Sequence, residues 1–443
     1  MTKLGAEIDW QKYVGAVENC SRIVQAGSVV KISGIVAEAN GPGLSIGSLC
    51  TIRNDQGQEI ETEVVGFRDN RVIVMPLGEL IGVKPGSKIV YKTNKATIPV
   101  GEAFLGRVID GLGYPLDDQP PIKSHLEYPL YGNRLNPLKR DIIGDVLDVG
   151  IKSINIFNTI GKGQRIAIMA GSGVGKSILM GMIARNTTAD VSIIALIGER
   201  GREVREFVER NLGTEGLRKS IVVVATSDMP ALVRIRGAYT ATALAEYFRD
   251  QGKDVLLIMD SITRYAMSLR EVGLAAGEPP SAKGYTPSVF NQLPKIMERA
   301  GTVEQKGSIT GIYNVLVEGD DMNEPIADAV RSIADGHIVL SRSLAHKGHY
   351  PAVEPLASIS RVMNEIVAPD HLETANEFKR TLSVYRDAED LINIGAYVDG
   401  SDPEIDSAKG KIQAMNAFLQ QPVDERVSFE DSLVQFRQLM SEN

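Results

Sequence analysis

Hydrophobic and polar positions follow three successive rhythms along the chain. From Val29 to about Thr97 short β-rich runs (Val29-Val30-Lys31-Ile32, Thr62-Glu63-Val64-Val65, Arg71-Val72-Ile73-Val74-Met75) alternate with turn clusters at Asn40-Gly41-Pro42-Gly43, Asp55-Gln56-Gly57 and Lys84-Pro85-Gly86. Short strands punctuated at this spacing predict a small β-barrel over residues 29–98. Ahead of it, residues 1–28 form an expected helical segment, with Ile8, Tyr13, Val17 and Cys20 near one face of an amphipathic stretch from Ile8 to Val24. Such a helix serves equally well as packing for the barrel or as a docking arm. A connector carrying Pro115, Pro120, Pro121 and Pro129 reads as a long bridge to the next domain.

From about Val146 the rhythm changes. Val191–Ile197, Ile221–Ala225 and Val255–Met259 are almost wholly apolar, with further runs at Ile309–Val317 and His337–Leu340. Helical stretches at Arg202–Asn211 and Ala231–Asp250 separate the first of them. Uniformly apolar strands alternating with helices predict a mainly parallel sheet covered on both faces, assigned to residues 99–367. After Pro369 the chain turns helical and polar, at Leu372–Leu391, Pro403–Leu419 and Ser428–Met440, which predicts an all-α domain over 368–443.

A length of 443 residues fits such a multidomain plan, because one core rarely grows that large. Composition then narrows the function. The net charge of −8 comes without any dense Lys/Arg block, and aromatics make up 5%, so neither duplex nucleic acid nor base-stacking partners are favoured. Cys20 and Cys50 are the two cysteines and form no metal-type spacing. No apolar run reaches membrane-spanning length and the first residues do not begin a signal peptide, so the cytoplasm is the expected address.

The chemistry concentrates at Ala170-Gly171-Ser172-Gly173-Val174-Gly175-Lys176-Ser177, between a β-branched run and a helix-forming stretch. Glycines there turn backbone N–H groups toward a phosphate, and the helix N-terminus adds its positive dipole end. Lys176 reaches the β- and γ-phosphates, and Ser177 is placed to ligate Mg²⁺. Ala170 replaces the usual first glycine, which requires only that this position not need a positive φ. Asp260 closes the apolar run Val255–Met259, at the strand end that faces the ligand crevice of a parallel sheet, and so can hold the Mg²⁺ shell. Glu199 follows the strand that begins at Val191; it either orients the attacking water or serves as a helix N-terminal charge. Arg200 and Arg264 can neutralise phosphate or form ordinary ion pairs. Tyr350 offers a flat face to adenine and Arg361 a cationic finger, with a buried tyrosine and a surface arginine as the plain alternatives.

Gly161–Ser177, Ile197–Val204, Met259–Ala266, Gly277–Phe290, Glu318–Asp328 and Ile333–Arg342 together resemble the flagellum-specific ATPase of the type III export apparatus, related to the catalytic subunits of rotary ATP synthases. The resemblance runs from Val29 to the helical end and is most specific between Gly161 and Met363. It implies a β-barrel, a RecA-like P-loop NTPase core and a C-terminal all-α domain. By motif it also implies that Lys176 and Ser177 bind phosphate and Mg²⁺, Glu199 is the catalytic carboxylate and Asp260 is the acidic residue of the metal shell. Arg200 and Arg264 would stand near the γ-phosphate, Tyr350 would stack on adenine, and Arg361 would reach a neighbouring subunit's nucleotide.

A homohexamer, a coiled-coil stalk protein near Gly284-Tyr285-Thr286-Pro287, a regulatory dimer, a membrane export gate and export chaperone–cargo complexes follow from the same likeness. So does a peripheral position at the inner face of the cytoplasmic membrane. An injectisome ATPase and a rotary-synthase catalytic subunit are the nearest alternatives. A non-catalytic ring subunit would lack Glu199. A ring-shaped RNA translocase would need a basic, aromatic barrel, whereas residues 29–97 hold only Phe67 and Tyr91 as aromatics.

Overall fold

Alternation of inward and outward side chains closes the first domain. In the computed structural model, which describes residues 13–14, 25–41, 44–93, 96–132 and 135–441, six strands form a barrel. They are β1 (Ala26–Ser33), β2 (Val36–Asn40), β3 (Leu49–Arg53), β4 (Glu59–Arg68), β5 (Arg71–Pro76) and β6 (Lys88–Thr93). They pair in the order β1-β2-β5-β4-β3-β6, and β6 returns to β1. Ala37 and Ala39, Cys50 and Ile52, and Val72 and Val74 point inward two by two, the period of a pleated strand with one dry face. Burial pushes the Cys50 thiol up to about 11, so it acts as a small apolar side chain. The helix expected over Ile8–Val24 lies, apart from Tyr13 and Val14, outside the described residues.

Residues Thr97–Asn443 form the second compact unit. Its sheet contains β7 (Val108–Asp110), β8 (Arg165–Ala170), β9 (Val191–Ile197), β10 (Ser220–Ala225), β11 (Asp254–Asp260), β12 (Ser308–Leu316), β13 (Gly336–Leu340) and β14 (Ile359–Ser360). The order is β14-β13-β8-β12-β11-β9-β10-β7, parallel except that β14 runs antiparallel to β13. Every residue of β9 and β10 is buried, which explains their lack of polar alternation. Helices α1 (Lys176–Asn186), α2 (Gly201–Glu206), α3 (Ala231–Asp250) and α4 (Ile262–Ala276) follow β8, β9, β10 and β11.

The carboxyl-terminal helices α5 (Pro369–Asn393), α6 (Pro403–Leu419) and α7 (Phe429–Ser441) pack around an aromatic cluster of Phe157, Phe378, Phe418 and Phe436. Phe157 comes from the short helix Lys152–Phe157, so the helical domain is built onto the α/β core through a shared apolar centre. No helix among the described residues is long and apolar enough to cross a membrane.

Two local expectations change. The connector is not a free bridge: Thr97–Val100 pairs with Leu126–Pro129, and β7 adds an edge strand to the core sheet beside β10. The helix expected over Arg202–Asn211 stops after α2 and continues as a π-helical turn, Phe207–Leu212. That turn is stabilised from a distance. Gly181 on α1 leaves room for the Asn211 carbonyl, which a Cβ there would meet at 2.6 Å. The Arg185 guanidinium donates to the same carbonyl.

Candidate active site

Strand β8 ends at Ala170 and α1 begins at Lys176, so the phosphate loop is the whole of the strand-to-helix turn. Gly173 and Gly175 take positive φ of 81° and 87°, a region that side chains disfavour. Ala170 has no such backbone, and alanine suffices there. Among the described residues no side chain caps the amino end of α1, which leaves its first N–H groups and dipole facing the cleft.

Strand order then brings distant residues to this loop. β12 lies between β8 and β11, and β9 lies on the far side of β11, so Asp260 and Glu199 emerge on neighbouring strand ends. Lys176 joins them: its Nζ is 2.5 Å from Asp260 Oδ1 and 3.8 Å from Glu199 Oε1. Asp260 is buried. Burial, with the Asp260 charge behind it, pushes the Glu199 carboxyl up to about 7, against the opposing pull of Lys176. Neighbouring Glu203 adds to the upward shift.

Gly198, at a φ of 73°, allows Arg264 to lie against the same strand end, where a Cβ would come 2.8 Å from the Arg264 Cβ. The Ser261 hydroxyl caps α4 at the Arg264 N–H, 3.2 Å away. The Arg264 Nε is buried without a hydrogen-bond partner among the described residues. Arg264 also lines the cleft, where a guanidinium is suited to an anion.

The cleft has a volume of about 1120 Å³, ample for a nucleotide. Ala170, Gly171, Ser172, Gly173, Val174, Gly175, Lys176, Ser177, Glu199, Arg200, Arg264 and Tyr350 all line it. Arg200 stands at its rim, largely exposed and 3.4 Å from Glu203. Tyr350 is 44% exposed, which leaves ring area open to a base, and its ring edge lies 3.3 Å from where a Gly175 Cβ would be. Arg361 is absent from this lining; it is exposed and follows β14, two strands from β8. Tyr285 and Thr286, in the segment expected near a ring opening, are buried.

Sequence reasoning missed the contribution of the helical domain. Gln421 and Val423 line the cleft. Gln421 donates its N–H to the Tyr350 carbonyl at 3.0 Å and its amide to the Gly150 carbonyl at 2.8 Å. It also accepts from the Lys152 N–H at 2.9 Å. No sequence signal pointed to it, since its partners lie at Gly150, Lys152 and Tyr350.

Ser177 and Asp260 suit a hard divalent cation that keeps several waters and phosphate oxygens in its shell.

Three family models match in register with the three parts of the chain. The ATP synthase alpha/beta family beta-barrel domain matches residues 29–93, its nucleotide-binding domain 150–360, and the T3SS EscN ATPase C-terminal domain 367–438. The chain is 52% identical to the flagellum-specific ATP synthase of Bacillus subtilis, over 96% of this chain and 97% of that one. It is 48% identical to that of Pseudomonas aeruginosa, over 97% and 96%. It is 47% identical to the type 3 secretion system ATPase of Xanthomonas euvesicatoria, over 92% of each. Among solved structures, the assembled ATPase EscN of enteropathogenic E. coli superposes with a TM-score of 0.89 at 44% identity, covering 94% of this chain and 100% of that one. EscN in complex with its central stalk EscO gives 0.86 at 43%, with the same coverage.

Proposed function

The chain belongs to the ATP synthase alpha/beta family, in its flagellar and type III secretion branch, and is an ATPase with a RecA-like core; we propose that it hydrolyses ATP to energise or gate the export of flagellar proteins through the type III secretion apparatus. The observation that carries the site assignment is the meeting of Lys176 with Asp260 and Glu199, at 2.5 and 3.8 Å, beside a phosphate loop. Virulence cargo is the second reading, favoured by the EscN likeness.

In this reading the triphosphate lies along the loop, and Lys176 exchanges its hold on Asp260 for the β- and γ-phosphates. Ser177 and Asp260 would hold Mg²⁺, which when bound would supply positive charge beside the phosphate oxygens. Glu199, as the carboxylate, orients the attacking water. Arg264 offers its unpaired N–H to the oxygens on which charge spreads, while the rim residue Arg200 screens the outgoing phosphate. Tyr350 stacks on adenine. Arg361 acts on the nucleotide of a second copy, because its own cleft does not contain it.

That division calls for at least a second copy; the proposed assembly is a homohexameric ring, with a coiled-coil stalk protein in the place that the central stalk EscO takes in the EscN complex. A regulatory dimer, a membrane export gate and chaperone–cargo complexes complete the proposed partners. The proposed location is cytoplasmic, at the inner face of the membrane. Glu199→Gln is the direct test: it should bind a fluorescent ATP analogue as the parent does and lose phosphate release by roughly 10²- to 10⁴-fold. Unchanged phosphate release would remove Glu199 from the reaction. In the parent, specific activity should climb with protein concentration, and a flat dependence would argue for self-contained sites.

A further inference from the structure

At the amino end of the sheet, opposite the phosphate loop, Arg361 is tied down by its backbone and left free at its head. Its N–H donates to the Asp335 carbonyl at 2.9 Å. Ser360, just before it, accepts from Gln164 Nε2 at 3.0 Å and donates to the Thr159 carbonyl at 2.8 Å. Gly336 lets β14 close onto β13, since a Cβ there would lie 2.4 Å from the Ile359 carbonyl. The guanidinium of Arg361 is exposed and has no hydrogen bond or ion pair among the described residues.

Asp335, which supplies that anchoring carbonyl, is itself fixed with little freedom. Arg165 grips its carboxylate by two prongs, Nε to Oδ2 and Nη2 to Oδ1, each at 3.0 Å. The Arg165 N–H adds a third bond at 3.0 Å, and the Asp335 N–H returns one to the Arg165 carbonyl at 2.8 Å. The ladder continues outward. Arg165 also pairs with Glu298, and Glu298 pairs with Arg140 at 3.2 Å. Arg140 in turn donates to the Ala300 carbonyl at 2.8 Å. Alternating charges thus run from the connector through β8 to the residue whose carbonyl holds Arg361. A planar guanidinium on a carboxylate fixes direction as well as distance.

We infer that Asp335, clamped by Arg165, is a positioning residue that aims Arg361 at the nucleotide of a second copy of the chain. This rests on the cross-subunit reading of Arg361 above. Its signature is that damage to Asp335 is felt in the neighbour's site and not in its own. A long, mobile side chain needs a stationary base to deliver its charge within hydrogen-bond reach, and a displacement of about 1 Å costs roughly 10²-fold in rate.

The experiment uses the full-length protein under assembling conditions. Asp335→Asn should keep binding of the fluorescent ATP analogue and KM within about twofold while kcat falls roughly 10- to 100-fold. Mixing it with excess Glu199→Gln, whose cleft is inactive but whose Arg361 is correctly held, should return activity to the Asp335→Asn clefts. A defect confined to the chain's own folding would not be rescued by the mixture. If Asp335→Asn fails to bind the analogue, Arg165→Lys is read in the same way, since it keeps the charge and loses the two-pronged grip. An unchanged kcat, or a loss that mixing does not restore, overturns the inference. The pair Arg361→Ala with Glu199→Gln is the reference: no rescue there means the cross-subunit reading has failed, whereas rescue there without rescue of Asp335→Asn means only the ladder is wrong.

Discussion

At the carboxyl end of the central strands, charged groups crowd together with fewer partners than they can use; at the amino end, every charge in the ladder is answered. Lys176 is shared between Asp260 and Glu199, and the Arg264 Nε has no acceptor among the described residues. Arg165 and Asp335, by contrast, exchange three side-chain-mediated bonds and one backbone bond, and the Asp335 carbonyl accepts from the Arg361 N–H. Unmet hydrogen-bonding capacity in a buried place is costly, and a triphosphate would relieve it. Satisfied capacity does the opposite job: it holds a residue still so that its free end can act elsewhere. In the proposed reading, one sheet carries a receiving end and a delivering end.

The comparison breaks most decisively at Arg361. Arg361→Ala should keep ATP binding and lose about 10³-fold or more of the turnover of the assembled protein, and normal turnover would leave the amino end without a catalytic task. The receiving end is probed by pH. In the proposed reaction Glu199 must be ionised to orient water, and burial has raised it to about 7, so kcat/KM should rise with pH up to about 7 and fall below it. Well below that value the fall should be about tenfold per pH unit, and a profile flat between pH 5.5 and 8 would detach Glu199 from the rate. Smaller still is the effect at the base. Tyr350→Ala should weaken ATP binding by about tenfold with little change in kcat, measured by titration of the fluorescent analogue, because stacking on an aromatic face contributes about 1–3 kcal/mol.

The phosphate loop and Asp260 could be read directly because each depends on neighbours in the chain: a strand, a turn that uses Gly173 and Gly175, and a helix start in one case, and a strand end in the other. The same holds for α3, expected and found at Ala231–Asp250. The alternation of the barrel strands was equally visible. The interruption after α2 was not, since it answers to Gly181 and Arg185 on another helix. Nor was β7, whose three residues are too short to show a period and are strands only because β10 accepts them. Gln421 entered the cleft through a bond to the Tyr350 carbonyl that no spacing announces.

Residue order alone was enough to mark the barrel, the nucleotide loop and the helical tail, because backbone preference and hydrophobic period act over a few neighbouring positions. Folding in three dimensions was needed to show which charges meet. It placed Asp260 and Glu199 on Lys176, and it set Arg361 outside its own cleft on a base braced by Arg165 and Asp335. Desolvation and Coulomb energy depend on what packs alongside a group, and packing joins residues that lie far apart along the chain.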